Sequence, residues 1–537
     1  MKISTQSAVL LGSCLLLRHL SLLMITSTGA VAWSTNVAAV NAVSNLSSTA
    51  CANLTKLAIP DTVIDSAVVV AQANGLPEYC DAFGTIHGRV GFNVRLPTAW
   101  NHKLYFVGNQ GFAGAVIHNT SDALSRHYAT VSTDTGHKFN PDLGILDASW
   151  GLNNRSAELD YAYRAVHETA TVSRQIVSAY YRSQPNHAYF EGCSNGGRQA
   201  LQEAQRYPND FDGIIAGDPV LDFTGLVIGE AWDMKKLHAT DTSSDIPIDK
   251  LPVIGAAVLA QCDAADGLED SLINDPKQCH PRPEALQCPH NYDAANCLTL
   301  VQVRALKAIY SGPRDSQGRQ LYPGFPAGGE TPDLSLNGWD AWLVANQDWP
   351  SFTRFILDGF LRFLALTPDR PNFDFNDFNF NTDPAAMQNA ADMFNADNSN
   401  LSAYRQSGGK LLMYQGWSDV TQTAFRTIDY FEEVRHRYGR HTTDQFARLF
   451  MAPGMYHCDS GPGPNSFDKL SALEAWVEHD HAPASIVATH FSDVTGEPDR
   501  TRPLCPYPRL ARYQGAGDID RAVNFRCEEP PSDDVSP

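Results

Sequence analysis

The chain has 537 residues, 43% of them hydrophobic and 10% aromatic, enough apolar material for a large core, which excludes a disordered or fibrous chain. Lys plus Arg number 40 and Asp plus Glu 60, a formal charge of −20 that argues against nucleic acid or an anionic membrane surface as a partner. The 11 cysteines are an odd number, so full disulfide pairing requires that one be lost.

The first 32 residues supply that loss. Met1-Lys2 precedes an apolar run at 8–17 (AVLLGSCLLL). A second run, LSLLM, follows Arg18-His19, and Ala30-Val31-Ala32 forms an A-x-A pattern. Together they predict a secretory signal peptide over 1–32 that leaves with Cys14. Neither run reaches the ~20 residues of a membrane span, so no stable membrane insertion is expected. Leu11-Gly12-Ser13-Cys14 keeps a lipoprotein acylated at Cys14 as the alternative. The expected location is secreted or periplasmic, where ten remaining cysteines can pair.

Further on, strand-like runs at 103–107 (KLYFV), 129–133 (ATVST), 188–192 (AYFEG), 213–216, 410–414 (KLLMY) and 447–451 (ARLFM) alternate with helical spacing at 161–183, 194–207 and 421–436. The alternation predicts an α/β protein with a doubly wound, mostly parallel sheet. It stops near 220 and resumes near 405. The α/β domain is therefore expected over 33–220 and 405–527, with 221–404 inserted into it. The acidic, Pro-rich stretch 528–537 (EEPPSDDVSP) is expected to be a disordered tail.

Gly192-Cys193-Ser194-Asn195-Gly196 fits G-x-S-x-G between a predicted strand and a predicted helix, the setting of a nucleophile elbow. Glycines permit the sharp turn, and the helix N-terminus adds donors and positive potential near Ser194. The alternative is a Gly-rich turn with a solvent-facing serine. A nucleophilic serine needs a base, and the base an orienting acid. Asp419 follows the 410–414 strand and His457 the 447–451 strand. Both therefore fall at carboxyl ends of parallel strands, where such sheets place functional loops. His137, His187 and His441 lack that placement. The oxyanion donors are expected to be the N–H groups of Asn195 and Gly111, the latter in the loop after 103–107. Cys193 precedes Ser194 and Cys458 follows His457. If Ser194 and His457 meet, these cysteines come within bridging distance.

At this point the chain resembles the tannase and feruloyl esterase family, which includes the hydrolase of mono(2-hydroxyethyl) terephthalate. The resemblance is carried by Gly192-Cys193-Ser194-Asn195-Gly196-Gly197-Arg198, Gly416-Trp417-Ser418-Asp419, Pro453-Gly454-Met455-Tyr456-His457-Cys458 and Arg502-Pro503-Leu504-Cys505-Pro506-Tyr507-Pro508. It spans nearly the whole mature chain. It implies a secreted serine esterase of α/β-hydrolase fold with a lid over 221–404, the triad Ser194, Asp419 and His457, and a Cys193–Cys458 bridge. Proximity and the family pattern give Cys51–Cys80, Cys262–Cys279, Cys288–Cys297 and Cys505–Cys527 as the other pairs. Gln110 departs from the glycine that relatives often carry there, so a tighter approach to the oxyanion hole is expected.

Residues 263–270 (DAADGLED) hold several carboxylates around Gly267. Their spacing alone is equally that of a solvated acidic loop or a hard-cation site. The resemblance implies a structural calcium site: carboxylates of Asp263, Asp266 and Asp270, and carbonyls of Leu268 and Leu272. No organic cofactor is expected.

Trp339, Trp342, Trp349, Phe352, Phe355, Phe360 and Phe363 form an aromatic group able to line an acyl pocket or to fill an ordinary core. The leading reading is an esterase for aromatic acids, with hydroxycinnamoyl (feruloyl) esters first. Galloyl esters or terephthalate monoesters are the alternatives. Arg354 and Arg362 are the nearest candidates to grip a free carboxylate. The partner is then a small aromatic ester, free or attached to plant cell-wall polysaccharide or polyphenol. A catalytically silent polyphenol- or carbohydrate-binding protein on the same scaffold is the reading from another class. A metallohydrolase built on the Asp cluster is excluded, because no His accompanies it.

Overall fold

In a computed structural model the described residues are 48–117, 119–238, 242–332, 337–344 and 350–530. The expected signal peptide with Cys14, Trp349 and residues 531–537 lie outside them. The chain from Ser47 onward is one compact unit. Among the described residues no helix is long and apolar enough to cross a membrane.

A nine-stranded sheet organises the unit. Its strands are β1 (Thr62–Val70), β2 (Tyr79–Ile86), β3 (Val90–Pro97), β4 (Lys103–Val107), β5 (Ala129–Thr133), β6 (His187–Cys193), β7 (Gly213–Gly217), β8 (Lys410–Gly416) and β9 (Ala447–Ala452). The spatial order is β1-β2-β3-β5-β4-β6-β7-β8-β9. Pairs from β5 through β9 are parallel, and β1, β2 and β3 extend the sheet antiparallel. The six strands legible in the sequence are the parallel ones. Their side chains are buried on both faces, so each reads as a continuous apolar run.

The antiparallel strands escape such a reading because polar residues are satisfied inside them. Asn93 Nδ2 donates to Asp81 Oδ1 (2.7 Å) and to the Ala82 carbonyl (3.0 Å), and Arg95 Nε lies 3.4 Å from Asp81. The hydrophobic period is thereby broken without a cost in unsatisfied groups. The expected tail also needs correction at its start. Glu528 pairs with Leu510 in a two-stranded sheet, and the Glu529 carboxylate accepts from Arg509 (3.0 Å) and Arg440.

Helices α1 (Ala165–Tyr181), α2 (Asn195–Arg206), α3 (Phe223–Leu237), α4 (Phe352–Phe363) and α5 (Ala424–Tyr438) include the three expected from periodicity. α1 follows a π-helical turn over Asp160–Arg164. Between β7 and β8 the described residues form helices and loops with no strand of the main sheet. This segment has a hydrophobic core around Phe223, Val227, Trp339, Leu357 and Phe360, and that core also takes in Phe112 and Tyr161. The inserted helices are thus packed on the loop after β4.

Candidate active site

The functional loops gather at the carboxyl ends of β4, β6, β7, β8 and β9, where the swap of β4 and β5 in the spatial order creates a switch point. Ser194 stands between β6 and α2 with φ 65° and ψ −124°. This positive φ in a non-glycine residue is a strained backbone, maintained because the surroundings over-determine it. The Ser194 N–H donates to the Gly217 carbonyl (3.0 Å), and its own carbonyl accepts from Arg198 and Val220 N–H (3.0 and 3.2 Å). Gly192 is required here because a Cβ would collide with the Gly196 backbone. Arg198 is wholly buried. It donates to Asn195 Oδ1 (2.8 Å) and to the carbonyls of Ala162 (2.8 Å), Tyr161 (3.0 Å) and Phe394 (3.2 Å). It ties the elbow to the turn before α1 and to the insertion.

Asp419 is buried in the turn after β8. One oxygen accepts the N–H groups of Thr421 (2.8 Å) and Gln422 (2.9 Å). The other accepts Gln415 Nε2 (2.9 Å) and His457 Nδ1 (2.8 Å). Four donors fix this carboxylate, and the bond to Nδ1 selects the tautomer whose free acceptor is Nε2. That Nε2 is buried and has no partner among the described residues. It forms no hydrogen bond with Ser194, but both residues line one cavity of about 540 Å³. Catalytic hydrogen bonds are often long in unliganded sites and close only when substrate is bound. The indole of Trp342, from the insertion, meets the His457 ring edge-on at 5.8 Å.

Cys193 and Cys458 are bonded, with Cα atoms 5.9 Å apart. Cys51–Cys80, Cys262–Cys279, Cys288–Cys297 and Cys505–Cys527 are bonded as well.

Gly111 and Asn195 both line the cavity. Asn195 opens α2, so its N–H has no intrahelical acceptor. Gly111 has φ +52°, and a Cβ there would strike the Ile145 carbonyl. The Gln110 carbonyl accepts Ala113 N–H (3.0 Å), which sets the plane of the peptide that carries the Gly111 N–H. Two side chains unseen in the sequence brace the same loop. Tyr161 Oη donates to the Gly111 carbonyl (2.9 Å), and His137 Nε2 donates to the Phe112 carbonyl (2.8 Å). His137 is buried against Trp150, with ring centroids 3.7 Å apart. Burial lowers its pKa to about 4, so it is a neutral structural donor at ordinary pH. The departure at Gln110 leaves an exposed side chain at the cavity edge.

The cavity wall is mostly apolar: Leu146, Val220, Phe223, Leu226, Trp342, Phe352 and Ile356 line it. Of the aromatic group, Trp342 and Phe352 reach the cavity, whereas Trp339 and Phe360 are core. Phe223, which the sequence reading passed over, lies in the wall. Arg354 and Arg362 do not reach it. Both pair with Asp358 (2.8 and 3.4 Å), and Arg354 also covers the Phe375 ring at 4.1 Å. The rim is polar, with Asn337 Nδ2 donating to Asp459 Oδ1 (2.9 Å).

The acidic loop is folded back on itself. Asp266, Leu268, Asp270 and Leu272 line a small cavity of about 30 Å³ that also touches Pro453, in the loop carrying His457. Burial pushes the Asp266 carboxyl up to about 6. Asp270 pairs with Arg502, which enters the same cavity. Asp263 is not part of the lining; its oxygens accept the N–H groups of Asp270 (3.2 Å) and Ser271 (2.9 Å). Four of the five expected ligands therefore face one water-sized space, and the fifth clamps the turn.

A family model described as tannase and feruloyl esterase matches residues 76–528. An uncharacterized esterase of Xanthomonas campestris pv. campestris is 35% identical over 90% of this chain and 92% of its own. The mono(2-hydroxyethyl) terephthalate hydrolase of Piscinibacter sakaiensis is 34% identical over 87% of each. The crystal structure of feruloyl esterase B from Aspergillus oryzae superposes with a TM-score of 0.80 at 24% identity, covering 90% of this chain and all of that one. These likenesses decide against the silent binding protein: the chain belongs to the tannase and feruloyl esterase family and is a carboxylic ester hydrolase.

Proposed function

We propose that the chain is a secreted serine esterase for aromatic carboxylic esters of the hydroxycinnamoyl type. The observation that carries this reading is the apolar, aromatic cavity lined by both Ser194 and His457, whose Nδ1 is bound to Asp419 and whose Nε2 is free. Ser194 Oγ attacks the ester carbonyl while His457 Nε2 takes its proton. Asp419 holds the Nδ1 proton in place and stabilises the imidazolium. Gly111 and Asn195 N–H groups receive the developing oxyanion. Collapse expels the alcohol, which takes the proton back from His457, and water then cleaves the acyl-enzyme by the same steps in reverse order.

Terephthalate monoesters are disfavoured, because no Lys or Arg is among the described lining residues to take a free carboxylate. The insertion acts as the lid that supplies Trp342 and Phe352. Calcium, if bound, would be held by Asp266 and Asp270 with the carbonyls of Leu268 and Leu272, and would supply rigidity to the loop beside Pro453. No catalytic step uses it.

The test is parallel hydrolysis of ethyl ferulate, methyl gallate and mono(2-hydroxyethyl) terephthalate by the mature protein and its Ser194→Ala variant. Fastest turnover of the ferulate, abolished in the folded variant, is the expected result. A preference for gallate would make the protein a tannase. Turnover surviving in Ser194→Ala would remove the nucleophile assignment.

A further inference from the structure

Asp218 directly follows β7 and is wholly buried, with φ 36°. No Lys, Arg or His pairs with it among the described residues. Its carboxyl instead touches the ends of three other strands. Oδ1 accepts the Gly416 N–H at 2.7 Å, three residues before Asp419. Oδ2 accepts the Cys458 N–H at 3.2 Å, next to His457, and lies 3.5 Å from Cys193 Sγ, next to Ser194. The Asp419 carboxyl is the strongest charge acting on it.

Two interacting buried carboxyls do not both ionise readily, because each charge would lack solvent and oppose the other. The donors decide which one holds the charge. Asp419 receives four N–H groups, one of them from His457, and Asp218 receives two. Burial, and after it the Asp419 charge, push the Asp218 carboxyl well above the usual carboxylate range. The titratable groups facing Asp218 are Asp419 and, from β8, Tyr414, whose own pKa is raised by burial and by Asp218. The cysteines beside it from β6 and from the loop after β9 are bridged and do not titrate.

We propose that Asp218 is a positioning residue of the ester-hydrolysing site, a neutral acid that fixes the Asp419 turn to the His457 loop. The proposal rests on Asp419 and His457 being the acid and base of the reaction. As Asp218 ionises at alkaline pH, a second negative charge appears beside Asp419, and turnover falls.

The test uses the full mature chain and the Asp218→Asn variant, which keeps the shape and stays neutral at every pH. The infrared difference between the two at pH 7 should contain the carbonyl band of a buried protonated carboxylic acid, and that band should titrate away at alkaline pH. Turning one acceptor oxygen into an NH2 group sets two donors against each other at the Gly416 or Cys458 N–H, which should lower kcat about tenfold, with KM changed less than about twofold. The alkaline fall of kcat/KM due to Asp218 should vanish in the variant. If Asp218→Asn does not fold, Asp218→Ala supplies the same infrared difference. Absence of the protonated band, or superimposable pH profiles for a folded variant, overturns the proposal. The band is independent of catalysis: if Ser194→Ala retained turnover while the band was present, the triad reading would fail and the proton on Asp218 would stand.

Discussion

Replacing both Cys193 and Cys458 by Ala removes the covalent tie between the nucleophile turn and the histidine loop. The bridged residues are 265 positions apart, so the loop-closure entropy removed from the unfolded chain is worth about 5–6 kcal/mol. Spread over the unfolding entropy of a compact unit of roughly 490 residues, that loss lowers Tm by about 5 °C. The kinetic effect should be larger than the thermal one implies. Ser194 and His457 come from different strand ends, and displacing one by ~1 Å costs about 10²-fold in turnover. The assay is a calorimetric melt of the double variant beside ester hydrolysis at 25 °C, well below the melting of either protein. A Tm within 1 °C of the wild type, together with unchanged kcat/KM, would refute the reasoning. It would mean that the Asp218 and Gly217 hydrogen bonds alone hold the two loops in register.

Tyr161→Phe removes the donor to the Gly111 carbonyl; chemical denaturation should report a loss of about 1–3 kcal/mol, and kcat should fall more than KM rises. His137 has a folded pKa of about 4, below the ~6.5 of an unfolded histidine. The unfolded chain therefore binds the extra proton between these values, and stability falls as pH drops from 6.5 towards 4, by up to about 3 kcal/mol from this group. Melting curves of the wild type and His137→Gln across that window isolate the contribution, since Asp266, with its folded pKa raised, slopes the opposite way. Added calcium should raise Tm at pH 7 and lose that effect as pH falls through about 6, where Asp266 takes up a proton. If chelation abolished turnover and left Tm unchanged, the structural role of the ion would be wrong.

The parallel strands and the G-x-S-x-G turn are legible because a doubly buried strand and a sharp Gly-bounded turn leave local marks in composition. Asp419 and His457 are legible from their places after two such strands. What holds them is not. Tyr161, His137 and Asp218 act through contacts between segments far apart in the chain, as when Asp218 meets Gly416 198 positions away. Nothing near such a residue in sequence records the contact. The antiparallel strands β2 and β3 are hidden for a related reason, since Asp81, Asn93 and Arg95 satisfy one another across strands and erase the apolar period. His137 shows the opposite error: set aside because it follows no suitable strand, it nonetheless buttresses the loop that carries Gly111.

The insertion is better understood as a fixed roof than as a flap. Three hydroxyls from the catalytic loops donate to its backbone: Ser418 to Gly328 (2.8 Å), Thr423 to Gly324 (2.7 Å) and Tyr456 to Thr331 (2.7 Å). Ser418 and Thr423 flank Asp419, and Tyr456 adjoins His457. Lifting the 324–331 segment would strip partners from the very turns that orient the acid and the base, at a cost of roughly 0.5–1.5 kcal/mol for each bond. Entry that leaves these bonds intact is therefore expected at the part of the cavity edge that the 324–331 segment does not cover. There Leu143 and Ile145 are exposed at the cavity edge, 40% and 38% accessible, and Gln110 stands beside them. An ester can pass this apolar part of the rim without breaking those bonds, so the Asp419 and His457 turns can stay assembled through turnover.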